Sequence, residues 1–495
     1  MESKHSKNSF KKFIGSASDN PFLIALGVGL YPLVFYYSRN FGMINSWGQF
    51  GYFLLLFIVL PFVFFSFLKW LQTLLFIARW GKYILPFFSV FLFLFYIKII
   101  LYADIQRKII LGIFIVSALI AYFLYKHFKK WIALQLILAV IGFIGLVPML
   151  MKYFNYSTEW TQQPDDIENV VFQKKPNIYY IQPDGYPSFS EMKSDFYKVD
   201  NSDFNKFLDE NDFINYPNFR SNYITTITSN SATFMMKHHY YNNGRDYSEM
   251  LNARKNIISA NPVLSIFKNN GYKTHFITEH PYLMVNRPKI GFDYTNFKYT
   301  EIPYISTGFN VEREVFPDLK NAIASKNDNG NFFFIEIFDP SHISTTKSAS
   351  KGKVAEREKW LLKLETANRK LEKMIRLINE KDPGALIMIM ADHGSFVGLD
   401  YTREVYKKTS NPEVIYSTFG AMLSIRWPNN EVPKTDSSLK SCVNVFRVLF
   451  SYLSNDEKYL QQLQSDASYL ILKEDADPGV YEYIDDKGKI VFKKV

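Results

Sequence analysis

The sequence predicts a five-helix transmembrane region followed by an α/β domain whose mainly parallel sheet is covered by helices on both faces. Three observations carry that expectation. Nearly continuous apolar stretches are confined to residues 1–154, although 48% of all 495 residues are apolar and 17% aromatic. Charge divides at the same place: 15 of the 57 Lys and Arg and 3 of the 47 Asp and Glu fall in residues 1–154, leaving 42 and 44 for the remainder. Beyond residue 176, short apolar runs alternate with amphipathic segments, the pattern of strands buried on both sides by helices.

The expected organisation is therefore a transmembrane region at 1–154, a polar linker at 155–175 and an extracytoplasmic domain at 176–495. Crossing the hydrocarbon takes roughly 20 apolar residues in a helix. Five segments qualify, near 21–38, 49–68, 83–103, 109–125 and 131–151, with 71–78 lying along the interface. Lys4, Lys7, Lys11 and Lys12 precede the first span, Lys69, Arg79 and Lys82 follow the second, and Lys126, Lys129 and Lys130 follow the fourth. Positive residues stay cytoplasmic, so the N-terminus is expected inside and the domain outside the plasma (inner) membrane, after a multi-pass anchor. The first span is too long, and too poor in small-residue cleavage sequence, for a removable signal peptide. Lys98 is the one charge that approaches a span interior, near its end. Without intramembrane carboxylates an ion path is not expected. The helices serve as an anchor, or as an anchor that also contacts a lipid.

Net charge excludes another class. The formal +10 belongs to the membrane region, and the rest of the chain is near −2. A domain without net positive charge lacks the electrostatic footprint of a nucleic-acid binder. A lone cysteine, Cys442, excludes an internal disulfide framework and a Cys-rich zinc site, and its apolar setting reads as a packed thiol.

Within the domain, Asn177-Ile178-Tyr179-Tyr180-Ile181 reads as a strand ending at Asp184-Gly185. A helix is expected near 200–210, a strand near 213–218, and then a Thr/Ser-rich segment, 221–233, running into helical Met235-Met236-Lys237-His238-His239. A helix at 262–269 and a strand at 274–278 flank Asn269-Asn270-Gly271. The strand Phe332-Phe333-Phe334-Ile335-Glu336-Ile337 precedes Asp339-Pro340-Ser341-His342. Trp360, Leu364, Ala367, Leu371, Met374 and Ile378 draw one apolar stripe along a helix at 354–380. Asp382-Pro383-Gly384 stops it before a strand that ends in Asp392-His393-Gly394. The tail, with Asp485-Asp486-Lys487-Gly488 between two apolar runs, predicts a hairpin.

In parallel sheets, functional groups gather beyond the carboxyl ends of the strands, where Asp184, Asp339, His342, Asp392 and His393 all fall. Asp184 alone could cap a turn, and Thr225, Thr226 and Thr228 could simply cap a helix. Two apolar strands that both end in hard ligands raise the pattern above coincidence. His238, His239, His275 and His280 carry no motif and read as ordinary core or surface residues.

The order Asp184-Gly185, Ser221-Asn222-Tyr223…Thr226, the long helix into Ala391-Asp392-His393-Gly394, Ser424-Ile425-Arg426-Trp427-Pro428 and Val443-Asn444-Val445-Phe446-Arg447 resembles the alkaline phosphatase/sulfatase superfamily. Its nearest branch is the membrane-anchored lipoteichoic acid synthase-like and phosphoethanolamine transferase-like proteins. The resemblance covers roughly residues 176–470 and implies an alkaline phosphatase-like fold. It also implies that Asp184, Thr226, Asp392 and His393 hold one divalent metal ion, with manganese expected and zinc or magnesium admissible, and that Thr226 is the nucleophile. His342, Asp339 and Asn222 become substrate-binding candidates. A sulfatase of the superfamily needs Cys or Ser in a Cys/Ser-x-Pro-x-Arg setting. Cys442 comes too late and Ser229 and Ser231 lack that context, so sulfuric ester hydrolysis is not expected. No histidine follows His393, which argues for one metal rather than two.

The implied activity is transfer of a phospho-alcohol group, of phosphoglycerol or phosphoethanolamine type, from a membrane phospholipid through a phospho-threonine to a cell-surface glycan, lipid or polymer. The alternatives are a membrane-bound phosphodiesterase or phosphatase-type hydrolase and a catalytically silent membrane scaffold.

Overall fold

The computed structural model describes residues 19–74, 80–102, 106–243 and 250–495, and the chain divides into two compact units. The first comprises Met1–Tyr156 with two later segments, Val285–Arg287 and Pro303–Thr307. Among the described residues, four helical stretches in it are long and apolar enough to cross a membrane: Pro21–Ile44, Trp47–Leu71, Gly81–Tyr102 and Arg107–Phe154. The last, of 48 residues, is interrupted by a 3-10 turn at Tyr125–His127, where Leu124 leaves helical geometry (φ −115°, ψ 13°). The basic flanks at Lys4, Lys7, Lys11, Lys12 and Arg79, and half of the interfacial stretch 71–78 (75–78), lie outside the described residues.

Local chemistry sets these helix ends. Asn20 caps the first helix by accepting from the Phe22 amide (2.9 Å), ahead of Pro21 at the first helical position. Ser46 and Gln49 form a capping box at the start of the second. That helix carries a π turn at Leu55–Val59, just before Pro61, whose ring cannot donate to the ladder. A Cβ on Gly29 would fall 1.5 Å from the Phe57 carbonyl oxygen in this turn, so only glycine permits the two backbones to approach so closely. Lys98 is buried near the end of its helix. The later segments complete the unit. Gln49 Nε2 donates to the Val285 carbonyl (3.0 Å), Asn286 Nδ2 to Asn45 Oδ1 (3.2 Å), and the Tyr52 ring stacks on Tyr304 (4.4 Å, 7°).

The second unit comprises Ser157–Met284, Pro288–Ile302 and Gly308–Val495. Its strands are β1 (Ile178–Pro183), β2 (Ile214–Asn215), β3 (Lys273–Thr278), β4 (Tyr294–Thr295), β5 (Asn331–Ile337), β6 (Leu386–Met390) and β7 (Leu423–Arg426), in a seven-stranded sheet of order β2-β7-β6-β1-β5-β3-β4. Pairings from β6 through β1, β5 and β3 to β4 are parallel, whereas β7 runs antiparallel to β6 and β2 antiparallel to β7. The mainly parallel sheet thus stands, with an antiparallel margin. Strand β2 is two residues long where the sequence predicts six. The expected hairpin forms from β9 (Gly479–Ile484) and β10 (Ile490–Lys494), and β8 (Ser468–Leu472) joins it to make a three-stranded antiparallel sheet.

Tyr180, Phe332 and Phe334 of the sheet meet Phe234, Phe267 and Phe446, so the helices Thr226–Met235, Pro262–Asn269 and Val445–Ser454 cover one face. On the other, the Tyr179 hydroxyl donates to Asp382 (2.9 Å), the residue that ends the long helix Lys353–Lys381. All six residues of that helix's apolar stripe are buried.

Two expectations are corrected here. The helix beginning at Thr226 ends at Met235, because Met236 adopts a left-handed conformation (φ 51°), and His238 and His239 lie beyond it. Residues 155–175 are packed rather than a free linker: Ile167, Val170 and Phe172 are buried. Buried Arg447 donates to Asp165 (2.6 Å) and to Gln163 (2.9 Å), fastening this stretch to the domain. Asp165→Ala leaves that guanidinium without its counter-charge and should cost about 3–5 kcal/mol of stability, to be measured by chemical denaturation.

Candidate active site

Strands β6, β1 and β5 are neighbours, and the chain leaving each carboxyl end brings a functional group to the same place. After β1, the Asp184 amide donates to the Ile337 carbonyl at the end of β5, and the Asp184 carbonyl accepts from Ser341, both at 2.8 Å. Gly185 follows with φ +61°, where a Cβ would meet the Ser341 carbonyl oxygen at 2.9 Å. Only glycine satisfies both conditions without strain. After β6 come Asp392 and His393, almost wholly buried.

These groups converge. Ligand atoms of Asp184, Asp392 and His393 lie within 4.8 Å of one another. Asp392 Oδ1 accepts from the amides of Gly185 (3.1 Å) and His393 (3.0 Å). Its other oxygen, Oδ2, is buried with no hydrogen-bond partner and lies 3.3 Å from His393 Nε2. His393 Nδ1 sits 2.8 Å from the Gly394 carbonyl, which can only accept, so Nδ1 carries the proton in the neutral ring and the Nε2 lone pair is left for a cation. Nε2 is 3.6 Å from Asp184 Oδ1.

Burial and the neighbouring Asp184 charge push the Asp392 carboxyl above its ordinary range, while the adjacent imidazole opposes that shift. Burial disfavours a charged His393, but the two carboxylates outweigh it and hold the imidazole above its usual range. Two buried carboxylates, an orphaned oxygen and a bare imidazole nitrogen fit one divalent cation, since a dication removes the repulsion and fills the missing contact.

Thr226 opens the helix Thr226–Met235, and its hydroxyl donates to Asp184 Oδ1 (3.2 Å). The neighbouring threonines are otherwise engaged. Thr225 is the N-cap, and its hydroxyl and that of Thr228 form a reciprocal box (2.7 Å apart). Capping therefore separates the three: Thr225 and Thr228 close the helix, and Thr226 meets the carboxylates. The helix N-terminus adds partial positive charge where an anion would sit.

A cavity of about 550 Å³ joins these residues to the loops after β5 and β3. His342 lines it, with Nδ1 held by the Ile343 carbonyl (2.7 Å), and burial keeps the imidazole below its ordinary range. Asp339 lines it too, paired to Lys370 at 2.7 Å. Asn222 does not reach it. Fully buried, its Nδ2 donates to Ala467 (2.9 Å) and its Oδ1 accepts from the Val443 amide (2.8 Å). That corrects its expected substrate role: it ties three segments together. Cys442 is buried, with Sγ 3.8 Å from the Ala391 carbonyl, and burial pushes its thiol well up. His238 and His239 are buried and held down to about 4 and about 3 by desolvation, as packed neutral rings.

Sequence reading passes over the cavity residues Lys370, Lys363, Arg403 and Glu279, and takes His280, which also lines the cavity, for an ordinary core or surface residue. Lys370 alone leaves a trace: it lies between Ala367 and Met374 on the buried face of the long helix, where a solvated lysine is out of place.

A family model described as Sulfatase matches residues 184–453. No curated protein matches the chain. Among solved structures, the C-terminal periplasmic domain of EcEptC from Escherichia coli, in complex with Zn, is 10% identical, with a TM-score of 0.43, 63% of this chain covered and 93% of that one. The integral membrane protein lipooligosaccharide phosphoethanolamine transferase A from Neisseria meningitidis is 15% identical, with a TM-score of 0.39 and coverage of 87% and 95%. The lipoteichoic acid synthase LtaP from Listeria monocytogenes is 14% identical, with a TM-score of 0.38 and coverage of 66% and 91%.

Protons and a dication compete for the same buried carboxylates and imidazole. Affinity for Mn²⁺ should therefore weaken as pH falls from 8 to 6, by up to about tenfold per unit for each proton displaced, in calorimetric titrations.

Proposed function

Because the chain belongs to the sulfatase family, we propose that it moves a phospho-alcohol group from a membrane phospholipid onto Thr226 and then onto a hydroxyl of a cell-surface glycan, lipid or polymer. One observation carries the reading: the Thr226 hydroxyl, at a helix N-terminus, donates to a carboxylate of a buried Asp/Asp/His cluster. A side-chain alcohol held there is a nucleophile in waiting.

Asp184, Asp392, His393 and Thr226 would hold one divalent cation. Manganese is the expected ion, with zinc or magnesium admissible. When bound, that ion supplies Lewis acidity, lowering the pKa of the threonine hydroxyl and balancing charge on the phosphate oxygens. The chain's own groups do the rest. Asp184 Oδ1 orients the hydroxyl, and the first turn of the helix receives the phosphate oxygens. As the Thr226 Oγ1–phosphorus bond forms, the bond from phosphorus to the diacylglycerol oxygen breaks, and that oxygen takes the proton. In the second half, an acceptor hydroxyl attacks phosphorus and Thr226 leaves with a proton restored. His342, whose Nδ1–H donates to the Ile343 carbonyl, leaves its Nε2 lone pair to accept the proton of an acceptor hydroxyl.

The lipid donor is inferred from the apolar helices, which keep the same chain at a bilayer and raise the effective concentration of headgroups. A continuous 48-residue helix would be about 72 Å long against a hydrocarbon core of about 30 Å. We read the break at Tyr125–His127 as dividing it into two crossings, which would make five in all. With Lys69, Lys82, Lys126, Lys129 and Lys130 on the cytoplasmic side, the domain is extracytoplasmic.

Thr226→Ala should lower transfer at least a thousandfold while the protein folds and binds Mn²⁺. Diacylglycerol release from phospholipid vesicles, with intact-mass detection of a phospho-alcohol adduct on the wild type, measures it. Undiminished release by the variant would overturn Thr226 as nucleophile, and free phospho-alcohol without any acceptor would make water the second substrate.

A further inference from the structure

The cavity is chemically lopsided. On one side, just past the ends of β3 and β5 and in the segment after Gly308, stand four aromatic rings: His280, Tyr282, Phe309 and Phe338. Phe309 touches the other three, stacked on Tyr282 (5.0 Å, 27°), edge-to-face with Phe338 (5.3 Å, 88°) and 5.5 Å from His280. It is nonetheless 49% exposed. Large exposed aromatic surface inside a polar cavity is a recognition feature more often than packing.

The same side carries three carboxylates, Glu279, Asp339 and Glu312, against one ammonium, Lys370. Lys370 bridges Glu279 and Asp339, and the Phe338 amide donates to the remaining Glu279 oxygen (2.7 Å). The negative field stays, while three of the six carboxylate oxygens are already bonded. A primary ammonium ion entering here would surrender its water and recover only part of its hydrogen-bond partners. A quaternary ammonium, which donates no hydrogen bonds, loses little and gains a negative field and the half-exposed Phe309 ring, the Tyr282 ring being already covered by the Arg254 guanidinium (4.7 Å).

We infer that this wall is a subsite for the trimethylammonium end of a phosphocholine-type donor, an assignment that rests on the transfer reading above. Spacing agrees with it. β1, β5 and β3 are consecutive in the sheet, so the chain leaving β3 lies two strands from Asp184, on the order of 10 Å. A phosphate beside Thr226 can thus extend a two-carbon amino alcohol towards the rings. Lys363 and Arg403, elsewhere on the cavity lining, remain for anionic parts of donor or acceptor.

The test uses the full-length protein in detergent micelles with Mn²⁺. Binding of phosphocholine, phosphoethanolamine and sn-glycerol 3-phosphate is measured by calorimetry, beside diacylglycerol release from vesicles of the corresponding phospholipids. Phosphocholine should bind about tenfold more tightly than glycerol phosphate, with phosphoethanolamine between them. Phe309→Ala should bring the ratio towards one, and Glu312→Gln should reduce it. Equal or tighter binding of glycerol phosphate or phosphoethanolamine, or a preference that survives Phe309→Ala, overturns the subsite. A Phe309-dependent preference for phosphocholine without diacylglycerol release from any vesicle would keep the subsite and sink the transfer reading. Release with no headgroup preference would do the reverse.

Discussion

Two carboxylates buried within reach of each other, Asp184 and Asp392, are the constraint on which the domain depends. Buried like charges are costly unless something neutralises them, and hydrogen bonds from two amides satisfy only one oxygen of Asp392. What holds the pair together is the sheet. Parallel strands in adjacent positions deliver their carboxyl ends to one level, and Gly185 and Gly394 allow the chain to turn away so tightly that a Cβ at either would collide with a carbonyl. The arrangement is a fixed deficit of positive charge, which a bound cation would relieve.

Around that deficit the fold distributes roles economically. A capping box assigns two of three threonines to helix ending, so the third is the one presented to the carboxylates. Asn222, near in sequence, closes contacts with Ala467 and Val443, fastening the approach to the helix against the strand that opens the second sheet. Rigid backbone on both sides of Thr226 fixes where its hydroxyl sits, as the proposed nucleophilic role would require.

Much of this was readable from local pattern. Strands that end in Asp-Gly or Asp-His-Gly and a helix with an unbroken apolar stripe depend on neighbours in sequence, and those features survive folding unchanged. Strand direction does not: nothing in Leu423–Arg426 says that it runs against β6. The role of Asn222 escaped for the same reason, since its partners lie more than 200 residues away. The helix end at Met236 depended on one left-handed residue that is not a glycine. The aromatic wall was invisible because phenylalanines in loops look like core until a cavity is seen beside them.

One feature of the helical unit bears on how the chain can be handled. Val285, Asn286 and Tyr304 belong to that unit, where Gln49, Asn45 and Tyr52 receive them. A soluble fragment begun at Ser157 would carry these three residues away from every one of those partners, leaving a stranded tyrosine face and unmet amides. Excision at the sequence boundary is therefore not a clean cut, and the behaviour of such a truncated piece would speak partly of its wound.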